Sequence, residues 1–505
     1  MKNDPLVSGP TIAKHASHEA AMRLLTDLSQ SILAVVDSDG ILLGVITDGD
    51  IRRALIGGTG ISDTIVSTYN SNPIYGYLLD DDFKFKRIME DEKVDRLPIV
   101  DSRHRFIRFE FAQANTIPNA IPQISHQELS VVHEALKNVH VAVGPNIGEF
   151  ERHICDFTNA RFAVATNSGT AALHLALLVC NVLPGDLVIT PTFTFAATAN
   201  VIKYLGAEPL FFDIDKDTLC IDVDQVEQYL KRECEIIDGV TQDKDTGRVV
   251  KAILPVHIYG HPACMTKLMS LAKEFSLELI EDGAEALGAS YRGKKIGSIG
   301  KICALSFNGN KIITTGGGGM VLTNCAETAA RARSYANQSR ADSIEFLHKD
   351  IGFNYRMPNI NAALGCAQVA KLSEFVEEKR SIVNSYIEGF RDLEGLSMVG
   401  EASGVRSSFW MAVLRLDLEQ VGFESKDILK YLISKGIGAR PTWYPLHLQT
   451  AFASASKNDM RKSLEVYRET LCLPCSTNLS QNDINLVVKE VKNFLFIGSK
   501  ILFKE

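Results

Sequence analysis

No cysteine occurs in the first 154 residues of this 505-residue chain, and the ten that follow, from Cys155 onward, are irregularly spaced. That distribution argues against a disulfide framework and for free thiols. Cys472-Leu-Pro-Cys475 is formally a CxxC, but it lacks the second pair of a zinc site and the βαβ setting of a redox motif, so no metal site is expected. Basic residues are not in excess: 53 Lys and Arg stand against 61 Asp and Glu, a net charge of −8. A general electrostatic grip on nucleic acid or an anionic membrane has no basis in that balance. Long apolar runs are missing as well. The longest, around Ala171 to Leu183, is interrupted by His174 and Asn181 and falls short of the roughly 20 apolar residues of a membrane span. The start, Met1-Lys2-Asn3-Asp4-Pro5, has no apolar signal-peptide region, so a cytoplasmic location is expected.

What the chain does have is a globular mixture, 46% apolar and 23% charged, enough to bury a large core. At roughly 150 residues per domain its length predicts about three folding units. Residues 112–123, Ala-Gln-Ala-Asn-Thr-Ile-Pro-Asn-Ala-Ile-Pro-Gln, hold two prolines and no apolar period, and they read as a linker. Upstream, Ser31 to Thr47 is two β-rich runs joined by an Asp-Ser-Asp-Gly turn, preceded by a helical pattern over Ser17 to Leu28. The pattern returns in Phe83 to Glu92 and Arg96 to Arg108, which predicts a tandem repeat of about 55 residues.

Downstream, β-rich runs alternate with helical periods: Phe162–Ala165, Leu187–Thr190, Pro209–Asp213, Ala252–Pro255, Leu277–Ile280 and Ile302–Ser306. Strands separated by helices predict a mostly parallel sheet covered on both faces, with ligands collecting at the carboxyl ends of its strands. Three runs end where chemistry can sit. Asn167-Ser-Gly-Thr170 turns straight into a helix, so free amides and the positive end of the helix dipole converge near Ser168, Gly169 and Thr170. Asp282 puts a carboxylate at the end of an apolar strand, and Lys311 places one amine next to Ile-Ile-Thr-Thr-Gly-Gly-Gly-Gly319. Taken singly, these are a helix cap, a turn cap and a surface charge. Together they supply what pyridoxal 5′-phosphate requires: an anion site, a carboxylate for the ring nitrogen and a Schiff-base amine.

Two resemblances follow from these residues. Gly44-Val-Ile-Thr-Asp-Gly-Asp-Ile-Arg-Arg53 resembles the end of a CBS motif. That likeness implies a CBS pair over residues 1–111, with Thr47 and Asp50 where such modules hold the phosphate and ribose of an adenine or cytidine nucleotide. The second copy has no Thr-x-x-Asp after Leu97-Pro-Ile-Val100, so at most one nucleotide site is expected.

From about residue 120 to 490 the chain resembles the DegT/DnrJ/EryC1/StrS sugar aminotransferases. The motifs are Ser-Gly-Thr-Ala-Ala-Leu173, Pro-Thr-Phe-Thr-Phe195, Glu-Asp-Gly-Ala-Glu-Ala-Leu-Gly288, Ser-Phe-Asn-Gly-Asn-Lys311 and Gly-Phe-Asn-Tyr-Arg-Met357. The resemblance implies an α/β fold of type I among pyridoxal phosphate enzymes, with a large domain at 124–385 and a small α/β domain at 386–505. It makes Lys311 the Schiff-base lysine and general base and Asp282 the partner of the ring nitrogen. Ser168, Gly169, Thr170 and Ser306 would hold the phosphate, Phe195 would stack on the ring, and Asn354 would reach the phosphate of a second subunit in a homodimer. Glu285 stands where many relatives have Gln near the cofactor's phenolic oxygen, and an ionised carboxylate there would repel it.

The implied reaction is transfer of an amino group from L-glutamate to a nucleotide-linked keto sugar. Sugar dehydratases of similar sequence carry histidine in place of the lysine, so Lys311 favours transamination. Residues 243–248, 256–262, 314–319 and 440–447 resemble the branch acting at C4 of UDP-4-keto-6-deoxy-N-acetylhexosamines. The alternatives are a C3 aminotransferase on a dTDP-keto sugar or a cyclitol ketone, and a regulatory protein in which the CBS pair controls a cofactor-binding module.

Overall fold

A computed structural model of the chain describes residues 10–27, 31–78, 80, 82–111, 116–342, 344–453 and 459–502. It divides into two units, Met1–Thr116 and Ile117–Glu505.

The first unit holds two three-stranded sheets of one plan. Thr11–Ala13 runs parallel to Ile32–Val36, which pairs antiparallel with Leu42–Thr47; Gly76–Tyr77, Arg96–Val100 and Phe106–Phe111 repeat those directions. Both hairpins are closed by an aspartate that folds back on its own turn. Asp37 Oδ1 accepts from the amides of Asp39 and Ile41, and Asp101 Oδ1 accepts from those of Arg103 and Arg105. Left-handed backbone is needed at the same place in each turn, supplied by Gly40 (φ 80°) and by His104 (φ 63°). Equivalent residues therefore lie 64 apart, as with Asp37 and Asp101, rather than about 55. The turn chemistry sets that register, and the apolar pattern alone did not resolve it. Apolar residues of both sheets, among them Ile32, Leu42, Val100 and Phe106, meet in one cluster.

The second unit is built on a seven-stranded sheet in the order Phe162–Thr166, Gly319–Thr323, Ile302–Ser306, Glu278–Asp282, Val250–Ile253, Leu187–Pro191, Glu208–Phe212. All six expected runs are present and mutually parallel where they pair. Gly319–Thr323, which the sequence reading did not anticipate, runs antiparallel to both its neighbours. Within each strand alternate residues serve opposite faces: Val164, Ile280, Ala304 and Val321 pack under the apolar helix Gly169–Val179, and Ala165, Leu279, Leu305 and Met320 face the other core. Burial on both faces explains why these strands read as continuous apolar runs.

A smaller antiparallel sheet, Leu396–Met398, Ala412–Leu416, Thr470–Leu473 and Arg440–Pro441, carries the helices Ser425–Ser434 and Gln481–Leu502. The helix Leu372–Phe390 is continuous across the boundary expected at residue 386: Leu372 and Phe375 pack in the large core, Val383 and Tyr386 in the small one. The expected linker divides too. Residues 112–115 lie outside the described residues, whereas Ile117 pairs with Ile437 and the buried Asn119 side chain donates to the carbonyls of Cys472 (3.1 Å) and Leu473 (3.3 Å). Residues 117–119 are thus built into the structure around the smaller sheet. Among the described residues no helix is long and apolar enough to cross a membrane.

Candidate active site

The carboxyl ends of the parallel strands open into a cavity of about 420 Å³. Ser168, Gly169, Thr170, Phe195, Asp282, Glu285, Ser306 and Lys311 all line it, so eight residues separated by up to 143 positions meet at one cavity. Asn354 does not. It is exposed on the segment Phe353–Arg356, whose backbone is pinned beside the cavity by Asn167: its amide N–H donates to Tyr355 O at 2.8 Å and its Nδ2 to Asn354 O at 3.1 Å.

One wall is the strand-to-helix turn after Phe162–Thr166. Ser168 caps the helix by accepting from the Ala171 amide at 3.0 Å, which leaves the first-turn amides of Gly169 and Thr170 without intrahelical acceptors. A methyl on Gly169 would come 2.7 Å from Ser306 Cβ, and one on Gly319 would come 2.3 Å from Ser168 O. Two glycines therefore let the turn lie close, Gly169 against the Ser306 side chain and Gly319 against the turn's backbone, leaving amides and the Ser306 hydroxyl at the cavity wall. This donor set suits a phosphate.

Asp282 ends the strand Glu278–Asp282 and is 3% exposed. Its Oδ2 accepts from Thr198 Oγ1 at 2.8 Å and its Oδ1 from the Ala284 amide at 3.1 Å. Burial pushes this carboxyl above the usual carboxylate range, while the Thr198 hydroxyl, the Ala284 amide and the nearby Lys311 and His257 pull it back. Lys311 is held 3.9 Å from Glu285 Oε1, with its ammonium 3.8 Å from the centroid of the Trp410 ring. Burial pulls its amine below the ordinary lysine range, against the opposing pull of Glu285 and Asp282. Glu285 is turned so that Oε2 accepts from the Tyr259 amide at 2.7 Å, and burial pushes its carboxyl up to about 7. A carboxylate, an amine made available by burial and a phosphate-type anion site in one cavity fit pyridoxal phosphate.

Both tryptophans of the chain stand at this cavity. Trp410, Trp443 and Tyr259 form a cluster of mutually neighbouring rings, with centroid separations of 6.1 Å (Tyr259–Trp410), 5.8 Å (Tyr259–Trp443) and 6.4 Å (Trp410–Trp443), and Phe195 leans on Trp443 at 5.4 Å. Trp410, Thr198 and Tyr259 were not singled out from the sequence. Rarity of tryptophan was the one available signal for Trp410; Tyr259 lies in the segment 256–262 whose likeness to the C4 branch was noted, without a role of its own, and nothing local marked Thr198. His447 bonds Thr192 Oγ1 through Nδ1 at 2.7 Å and does not line the cavity. In the first unit, Thr47 and Asp50 are engaged with each other. Thr47 caps the helix Asp48–Ile56 in a reciprocal capping box, its hydroxyl donating to Asp50 Oδ2 at 2.7 Å.

Comparison with known proteins identifies a family. Residues 122–492 match the model of the DegT/DnrJ/EryC1/StrS aminotransferase family, and residues 1–57 match the CBS domain. A putative pyridoxal phosphate-dependent aminotransferase, EpsN of Bacillus subtilis, is 36% identical over 373 residues, covering 73% of this chain and 93% of that protein. GDP-perosamine synthase of Caulobacter vibrioides is 35% identical, covering 74% of this chain and 97% of its own. Among solved structures, the pyridoxal phosphate form of a putative sugar aminotransferase, Spr1654 of Streptococcus pneumoniae, superposes with a TM-score of 0.68 at 26% identity, over 76% of this chain and 99% of that one.

Proposed function

The chain belongs to the DegT/DnrJ/EryC1/StrS aminotransferase family, and from that premise we propose that it moves an amino group from L-glutamate to a nucleotide-linked keto sugar, at C4 of a UDP-4-keto-6-deoxy-N-acetylhexosamine, for surface polysaccharide or nonulosonic acid biosynthesis. One observation carries the reading: Lys311, Asp282 and the Ser168–Thr170 turn, far apart in sequence, face a single cavity.

When bound, pyridoxal phosphate supplies an aldehyde that takes up an amine and a ring that delocalises the electron pair left at the substrate carbon. The chain's residues do the rest. The amides of Gly169 and Thr170, with the Ser168 turn and the Ser306 hydroxyl, would hold the phosphate. Asp282, kept in place by Thr198 and Ala284, would hold the ring nitrogen protonated, and Phe195 would pack against the ring. Lys311, uncharged more readily because it is buried, removes the proton from the donor's α-carbon and returns one to the acceptor carbon in the second half of the cycle. Asn354 of a second copy would complete the phosphate site, which would make the working form a homodimer. Support for the C4 and UDP assignment is the likeness of residues 243–248, 256–262, 314–319 and 440–447 to that branch, of which Val256, Gly317, Arg440 and Trp443 line the cavity.

The test is the visible absorption of the purified protein with pyridoxal phosphate. L-glutamate should bleach the band, and a UDP-4-keto-6-deoxy-N-acetylhexosamine should restore it, with no band in Lys311→Ala. Bleaching without recovery, followed by recovery with a GDP- or dTDP-linked keto sugar, would keep the aminotransferase and replace the acceptor. Absence of any band would end the catalytic assignment.

A further inference from the structure

The amine of Lys311 is enclosed by two groups that neither the phosphate site nor the Asp282 site uses. Glu285 Oε1 stands 3.9 Å from it, and the Trp410 ring lies under it at 3.8 Å from the centroid. Both groups are fixed by their neighbours. The other oxygen of Glu285 is tied to the Tyr259 amide, which points there because Tyr259 adopts left-handed backbone (φ 51°) in the turn Ile258–Gly260. Such a conformation is unfavourable for a tyrosine and persists where the surroundings impose it. The next residue, Gly260 (φ 95°), lies so close to Ser408–Trp410 that a Cβ on it would be 2.9 Å from the Trp410 amide nitrogen. The indole N–H of Trp410 donates to Asn310 O at 2.7 Å, and its carbonyl accepts from the buried Lys379 amine at 3.1 Å. Asp282, by contrast, already has the Thr198 and Ala284 donors.

We propose that Glu285 and Trp410 are positioning residues that form a resting site for the Lys311 ammonium, occupied whenever that amine is not bonded to the cofactor, and that Glu285 takes the proton Lys311 gives up to become a base. The inference rests on the aminotransferase reading, in which the donor amine displaces Lys311. In the transfer an N–H bond of the ammonium breaks and an O–H bond of the carboxyl forms, so the pair is neutral overall before and after. No charge enters or leaves the cavity, and a buried site exchanges protons at least cost in that way. The ordinary gap between a lysine and a glutamate, about 6 pK units, is narrowed from both ends, because burial pulls Lys311 down and pushes Glu285 up to about 7. The other titratable groups around Glu285 are Asp282, the Tyr259 phenol and the thiols of Cys220 and Cys472. Burial pushes the phenol and both thiols up, so near neutral pH they stay uncharged. A glutamate here in place of a glutamine thereby has a task that does not depend on contact with the phenolic oxygen.

Trace acetylation of Lys311, read by mass spectrometry as a function of pH, measures the midpoint of this amine directly. It is run on the full chain, both without cofactor and loaded with pyridoxamine phosphate, where Lys311 is free. Glu285→Gln should lower the midpoint by about one pH unit, a tenfold gain in acetylation at a fixed pH below it, and Glu285→Asp should restore part of the shift. Trp410→Leu should lower it in the same sense, and Trp410→Phe, which keeps a ring face, should lie nearer the native value. A midpoint unmoved in both Glu285→Gln and Trp410→Leu, each checked for a native melting transition, would overturn the proposal. Failure to bind pyridoxal phosphate would overturn the aminotransferase reading instead, since the cofactor-free titration reports the pair without it.

Discussion

At the scale of single residues, the site depends on how each buried charge is satisfied. In the proposed reaction Asp282 must stay ionised to hold a proton on the ring nitrogen, yet burial raises its pKa, and the Thr198 hydroxyl is the first of the groups that bring it back down. Thr198 itself is buried and bonded to Thr194 Oγ1 at 3.1 Å, so its hydroxyl is oriented before any ligand arrives. Replacing it with valine keeps the shape and deletes the donor. A hydrogen bond to a charged group contributes roughly 1.5–3 kcal/mol, so Thr198→Val should lower kcat about tenfold or more. The sign with pH follows from Asp282. Its required form is lost as pH falls through its pKa, and removing a donor raises that pKa further, so the acid limb of the kcat profile should move to higher pH. A tenfold loss with an unmoved acid limb would show that Thr198 acts on something other than Asp282.

At the scale of elements, the strand Gly319–Thr323 explains why the four-glycine run is where it is. Its first residue crosses the cofactor turn, with Ser168 O and Gly169 N at 2.3 and 2.6 Å from where a Cβ would stand. The contact is backbone on backbone, which no rotamer change relieves. Gly319→Ala should therefore spread the turn and weaken pyridoxal phosphate binding by about tenfold, taking overpacking at about 1–3 kcal/mol. Gly148→Ala, in the helix Asn146–Thr158 with nothing within 4 Å of its Cβ, should leave affinity unchanged and raise stability by roughly 0.5–1 kcal/mol; spectral titration and melting curves check the pair. The same strand marks what was legible in the sequence. Ser168, Asp282 and Lys311 could be read because each follows a run whose apolar pattern ends at a strand's carboxyl edge. Gly319–Thr323 could not, because its glycine start looks like loop and an apolar run carries no sign of its direction. Trp410, Tyr259 and Thr198 reach the amine and the carboxylates only through the packing of the two sheets, and no local spacing encodes that meeting.

At the scale of the whole molecule, the point where the second unit begins can be tested by cutting the chain. Ile117 is 5% exposed; its amide donates to Gly436 O and its carbonyl accepts from the Gly438 amide, while Asn119 ties down Cys472, Leu473 and Cys475. A chain starting at Ile121 loses all of these, whereas one starting at Thr116 keeps them. Burial of one isoleucine and several buried hydrogen bonds together amount to about 3 kcal/mol or more, so the chain from Ile121 should melt several degrees below the chain from Thr116. The chain from Thr116 is then the reference for the CBS pair. If that pair senses a nucleotide, adenine or cytidine nucleotides should shift the melting or turnover of the full chain and leave the chain from Thr116 unaffected. Thr47 and Asp50 are already joined in a capping box, so a nucleotide must compete with the cap. Thr47→Ala should cost the first unit about 1 kcal/mol and abolish the nucleotide response together. Full chain and shortened chain behaving alike toward every nucleotide would leave Thr47 and Asp50 with the cap as their whole role.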